Sequence, residues 1–162
     1  MNISPQRLIG CVLILLASLG MSLALMRRSR RREAEYAALL SLIRHIRDSI
    51  DCFMAPVGSI LSSFSSQALE ETGFADVMRS DGLTAAAESG LLSVSEEASD
   101  LLRDFASELG HGLRDEEMRR CEYFADRMSE LADAERSRAE SCRRLYLYLP
   151  PLGALSLIIV LL

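Results

Sequence analysis

Apolar and polar residues along this chain are sorted into two uniform runs and a patterned middle. Leu8 to Met26 carries no charged residue, and at about 1.5 Å per residue a helix of that length matches a hydrocarbon core of roughly 30 Å. A transmembrane helix is predicted over 8–26, with 1–7 as a short tail outside the cytoplasm. Residues 145–162 are again free of charge and are predicted as a second transmembrane or re-entrant segment. Pro150 and Pro151 lie inside it, and each removes a backbone donor. Either the span accommodates them, or the helix restarts at Pro151 with only about 18 Å left, which inserts without crossing.

The middle, 27–144, reads as one helical-bundle domain. Tyr36, Leu39, Ile43, Ile46, Ile50 and Phe53 recur at steps of three and four, the stripe of an amphipathic helix continuing from the first apolar run. Pro56 interrupts it, and Val57, Ile60, Leu61 and Phe64 start a second, shorter helix. Over 67–92, Gly73, Gly82 and Gly90 cut the pattern into pieces, and two short helices are expected. Ser93 to Glu96 fits a capping box, followed by the face Ala98, Leu101, Leu102, Phe105 and Leu109, which Gly110 stops. The last helix is predicted from about Asp115 to Leu149. Its stripe of Cys121, Phe124, Met128 and Leu131 runs on into Glu135 and Arg138, so the core is expected to end near Ala132. No stretch alternates apolar and polar residues over strand length. The fold class is therefore all-α: a helical bundle anchored in a membrane by both ends.

Charge sets the orientation. Arg27, Arg28, Arg30, Arg31 and Arg32 follow the first apolar run at once, and Arg143 and Arg144 precede the second, with Tyr146 and Tyr148 next to them. Arginine clusters stay on the cytoplasmic side and aromatic residues favour the interface, so both clusters put the middle domain in the cytoplasm. A cleaved leader ending at Ser22-Leu23-Ala24 is the competing reading, against which the trailing arginines speak. Between Glu33 and His111, fourteen acidic residues face only Arg44, Arg47, Arg79 and Arg103. That surface repels nucleic acid, whose phosphates need cations. It suits a basic partner surface, with Glu70, Glu71 and Asp76 as candidate contacts.

Candidate chemistry narrows the function by exclusion. All basic side chains are Arg, so no Walker, Schiff-base or lactamase-type lysine exists. His45 and His111 stand apart, and Cys11, Cys52, Cys121 and Cys142 form no Cys-x-x-Cys pair. With no nucleophile elbow either, the expectation is a protein without catalytic, metal or cofactor sites.

The layout of an arginine-edged apolar segment, an α-helical domain of this size, Leu109-Gly110 before a long charged helix, and a final apolar segment resembles the stage III sporulation protein AB family of endospore-forming bacteria. The resemblance covers essentially the whole chain, most strongly Leu101 to Leu162. The family's Leu-Gly falls on Leu109 and Gly110, and its following apolar positions fall on Cys121, Phe124 and Met128. Where the family has a hydroxyl residue, an Asp and then a Gln, this chain has Gly112, Leu113 and Glu117, which moves the expected helix cap to Asp115. The resemblance implies a non-catalytic scaffold in the sporulation channel complex between mother cell and forespore, with its domain in the mother-cell cytoplasm. The family's domain is similar to the cytoplasmic domains of type II secretion F platform proteins. By that analogy the implied partner is the complex's secretion-type ATPase, stage III sporulation protein AA, beside integral membrane proteins and, in one arrangement, further copies of this chain. Leu109 and Gly110 then join the candidate contacts. The alternatives are a secretion F-like platform protein and a membrane-anchored coiled-coil signalling or division protein. The former carries more spans and a repeat missing here; the latter needs an uninterrupted heptad, which Glu135 and Arg138 spoil.

Overall fold

The computed structural model describes the backbone of residues 5–53 and 57–161, and the side chains of 10, 13–14, 16–51, 57–141, 152–153 and 156. Among the described residues it is all-helical, with no strand. Seven helices follow in order: α1 (Pro5–Phe53), α2 (Val57–Ser63), α3 (Gln67–Glu71), α4 (Phe74–Asp81), α5 (Leu83–Glu88), α6 (Glu96–Glu108) and α7 (Arg114–Leu161). The chain divides into two compact units. One is a body over Arg31–Glu135, and the other is a terminal unit made of Met1–Arg30 and Arg136–Leu162.

Within the body, α1 and α7 are antiparallel neighbours. Arg32 pairs with Glu135, Arg47 with Glu122 and Asp51 with Arg114, at 3.1, 3.5 and 2.6 Å. Each step up α1 is a step down α7, and the series covers about 28 Å of helix. Pairs Glu97–Arg127 and Glu108–Arg120 set α6 antiparallel to α7 in the same way. The apolar stripes meet between these helices. Leu39, Leu42, Ile43 and Ile46 from α1, Leu102 and Phe105 from α6, and Cys121 and Met128 from α7 are at most 1% exposed. The Phe105 and Phe124 rings meet at 5.2 Å in a tilted arrangement. Among the described residues Met128 is the last fully buried one of α7, with Leu131 and Ala132 packed at the core's edge, as the fading stripe predicts.

The short helices close the core from the side. Leu69, Phe74, Met78, Leu83 and Ala86 are buried, and α4 packs on both α3 and α5. Three short helices stand where two were expected. Their glycine punctuation was legible: Gly82, at φ +93°, separates α4 from α5 in a conformation that costs a residue with a Cβ dearly. Pro56 lies outside the described residues.

In the terminal unit both chain segments are helical, and α7 runs on through Pro150 and Pro151. Leu13, Leu16, Leu19, Met21, Leu23 and Leu152 are 56–65% exposed, while Ser22, whose hydroxyl donates to the Ser18 carbonyl at 3.2 Å, is buried. Among the described residues no helix is long and apolar enough to cross a membrane. The two spans expected from sequence are thus not supported by the fold. Many of the side chains on which they rested, Leu8, Ile9, Val12, Leu15 and Ile158 among them, lie outside the described residues.

Candidate functional site

The most elaborate polar construction in the body is built around a carboxylate on the buried side of α1. Glu35 is fully buried, and an isolated charge there would be expensive. Each of its oxygens is met. Arg31, one helical turn back, donates Nε–H to Oε1 at 3.1 Å, and the backbone N–H of Ser93 donates to Oε2 at 2.6 Å. Arg32 completes the grip on the same residue, donating Nε–H to the Ser93 carbonyl at 2.7 Å and an amino N–H to Glu135 at 3.1 Å.

Tyr36 extends the clamp by two residues. Its hydroxyl accepts the Ser95 N–H at 3.1 Å and donates to the Ser95 hydroxyl at 2.8 Å. Ser95 Oγ in turn accepts the Ala98 N–H at 3.3 Å and so caps α6. The cap is therefore Ser95 and not the Ser93 that the local motif suggested, because Glu35 and Arg32 occupy the backbone of Ser93. Chemically the cluster holds no nucleophile beside a base. It ties α1, the start of α6 and α7 together.

The arginine run after the first apolar segment is split by this arrangement. Arg27, Arg28 and Arg30 are exposed in the terminal unit. Arg31 and Arg32, named with them as membrane-flanking, belong to the body and direct their guanidinium groups to Glu35, Ser93 and Glu135. Arg143 and Arg144 lie on α7, with side chains outside the described residues.

Leu109 and Gly110 form the stop of α6. Leu109 is buried and returns its N–H to the Phe105 carbonyl at 3.1 Å. Gly110 takes φ +87°, the left-handed conformation that ends helices and favours glycine. A Cβ there would meet only Val57 Cγ2 at an ordinary 3.5 Å, so backbone conformation alone demands the glycine. The helix after it starts at Arg114, where the Leu113 carbonyl accepts the backbone N–H groups of Glu116 and Glu117 at 2.9 Å. The expected cap at Asp115 is corrected accordingly. Buried Glu117 reaches back to the Gly112 N–H at 2.8 Å while Arg120 holds the same oxygen at 2.9 Å. Gly112, Leu113 and Glu117 thus build one cap together, and a Cβ on residue 112 would crowd Glu117 Oε1 at 3.0 Å.

The proposed acidic contacts lie on α3 and α4, all exposed. Glu70 is already engaged. The Ser65 hydroxyl donates to it at 2.9 Å and Arg79 at 3.2 Å, and these two bonds, that from Ser65 foremost, hold its carboxyl below the usual range. Arg79 also reaches Asp76 at 3.6 Å and the Phe64 carbonyl at 3.2 Å. Glu71 accepts from Gln67 at 2.9 Å. The structure brings Glu70 and Asp76 together around one arginine and leaves Leu109 and Gly110 at a separate turn.

Ionisable chemistry elsewhere is muted. Burial pushes the Cys121 thiol up to about 11, with the Glu117 carboxylate adding to the effect, so it is an inert core group rather than a nucleophile. His45 meets the Ser63 hydroxyl at 3.1 Å and the Phe64 ring at 5.4 Å. Among the described residues no group of His, Cys, Asp and Glu is arranged to hold a metal ion.

Sequence reasoning missed Glu35, Tyr36 as a polar residue, and Glu135 as a partner. The signal was present: Glu135 sits in register with Cys121, Phe124, Met128 and Leu131, and a carboxylate on an apolar stripe requires a cation opposite. Among known families, stage III sporulation protein AB matches the chain over residues 7–162. No curated protein and no solved structure matches it. Because the match runs through the body and both ends, the chain belongs to the stage III sporulation protein AB family.

Proposed function

We propose that this stage III sporulation protein is a non-catalytic scaffold, tethered by both ends to the membrane around the forespore. Its helical body faces the mother-cell cytoplasm and couples a secretion-type ATPase, stage III sporulation protein AA, to integral membrane components of one channel-like complex. The observation that carries this is the exposure of apolar side chains in the terminal unit. Leu13, Leu16, Leu19, Met21 and Leu23 face outward at 56–62%, on a segment that is apolar all round, and such a helix belongs in a protein core or a bilayer. Exposed Arg27, Arg28 and Arg30 at its inner edge favour a cytoplasmic body. They also add attraction to anionic lipid of about 1 kcal/mol per arginine near the surface.

The test is topology and recruitment together. Protease added to intact protoplasts should leave the body whole and digest it after lysis. Deleting the gene should release the ATPase from the membrane fraction. Digestion in intact protoplasts, or an ATPase that stays bound without this protein, would refute the proposal.

A further inference from the structure

At the edge of the core α6 and α7 leave a cleft of about 230 Å³ between them, lined by Glu97, Asp100, Leu101, Asp104, Arg127 and Leu131. It has room for a large side chain rather than a single water. Half-buried Leu101 and Leu131 supply its apolar part. Its charge is three carboxylates to one guanidinium, and that guanidinium is already divided between Glu97 at 3.7 Å and Glu130 at 2.5 Å. Asp100 is held by Arg103 at 2.5 Å, while no ion pair involves Asp104 among the described residues.

We propose that this cleft seats a basic segment of a protein partner, with an apolar side chain inserted between Leu101 and Leu131 and flanking arginines or lysines on Asp100 and Asp104. The inference rests on the scaffold reading above and names the surface that does the work. An apolar centre with a charged rim is the anatomy of a protein interface, and complementary charge at the rim speeds encounter and fixes register. Nucleic acid and anionic lipid are repelled by the same carboxylates. The cleft also differs from the acidic patch on α3 and α4: there Arg79 reaches both Glu70 and Asp76, whereas in the cleft Arg103 takes Asp100, and Asp104 is the carboxylate with no ion pair among the described residues.

The probe is a short fluorescent peptide of arginines flanking leucine, titrated into the full chain in non-ionic detergent and followed by anisotropy. The double variant Asp100→Asn with Asp104→Asn should weaken binding about tenfold, the effect of losing rim charge. Glu70→Gln with Asp76→Asn should change it by less than about twofold, and replacing the peptide's leucines by serine should weaken it several-fold. Equal losses from both double variants would mean general attraction to an acidic protein and would overturn the proposal, as would a serine peptide that binds equally well. A change of oligomeric state in the Asp100 and Asp104 variant would overturn it in favour of a second copy of this chain. These exposed positions keep the fold intact, which circular dichroism verifies. Failure of the scaffold reading is seen separately, as a body open to protease in intact protoplasts whatever the peptide does.

Discussion

The body and the terminal unit use the same kind of helix and place their leucines oppositely. In the body Leu39, Leu42, Leu69 and Leu102 are at most 1% exposed, whereas in the terminal unit Leu13, Leu16, Leu19 and Leu23 are 56–60% exposed. The difference lies in the polar residues between them. On α1 of the body, Arg, Glu, Asp and Ser fill the positions that face away from Leu39 and Ile43, so burying one stripe satisfies the helix. Over 8–26 no such polar face exists, so a single contact surface cannot remove all the apolar area from water. Burial by protein suffices for the one; the other calls for an apolar medium or partner as well.

The largest way to break this comparison is to cut into the body's core. Phe105 is fully buried and touches the Phe124 ring. Truncating it leaves a cavity besides the lost transfer energy, and Phe105→Ala should cost about 3–5 kcal/mol. Urea unfolding of the full chain in detergent, followed by helical circular dichroism, measures it. A loss under about 1 kcal/mol would show that α6 and α7 are loosely packed and that the two units differ less than their exposures say.

The buried clamp gives the next effect in size. Glu35→Ala strands the Ser93 N–H and releases Arg31, which should cost about 2–3 kcal/mol. Arg31→Ala removes a partner whose side chain is 54% accessible but leaves the buried Glu35 carboxylate on the Ser93 N–H alone, and should cost about 1–2 kcal/mol, less than Glu35→Ala. Hydrogen exchange at Ser93 and Ser95 should speed up more in the first variant than in the second. Equal losses from both would mean that the ion pair, and not the bond to the loop, carries the stabilisation.

What the sequence made legible divides along the same physical line. Helices longer than ten residues show their buried face by periodicity, and Leu39, Ile43, Ile46, Leu102, Phe105 and Met128 were all found this way. Helices α3, α4 and α5 have five, eight and six residues, too short for a period and too short to be stable without tertiary packing, so their number was misread. The α6 cap was misread because the residue that claims Ser93 lies 58 positions away, beyond any local motif. The arginine run looked like one topological signal because a charge count along the chain cannot tell a solvated guanidinium from Arg32, held between Ser93 and Glu135. Leu109-Gly110 was legible as a helix stop because its reason is local. The cleft between α6 and α7 was not legible as a site at all, since it exists only once Glu97 and Arg127 are brought face to face.

The smallest expected change in stability comes from the terminal unit, and it is the sharpest test of the contrast. Leu16 is 60% exposed near the middle of the apolar run. Leu16 belongs to the terminal unit and is not among the residues of the body's core, so with Leu16→Arg urea unfolding should shift by no more than about 0.5 kcal/mol, as for other surface changes. The same substitution puts a charge where a bilayer interior is proposed, at an insertion cost of about 2.5–3.5 kcal/mol. Carbonate extraction of membranes should then release more of the variant than of the parent chain. Unchanged retention would mean that Leu16 faces water or a polar partner. A fall in body stability like that of Phe105→Ala would mean that the terminal unit is part of the core, and the distinction between the two regions would fail.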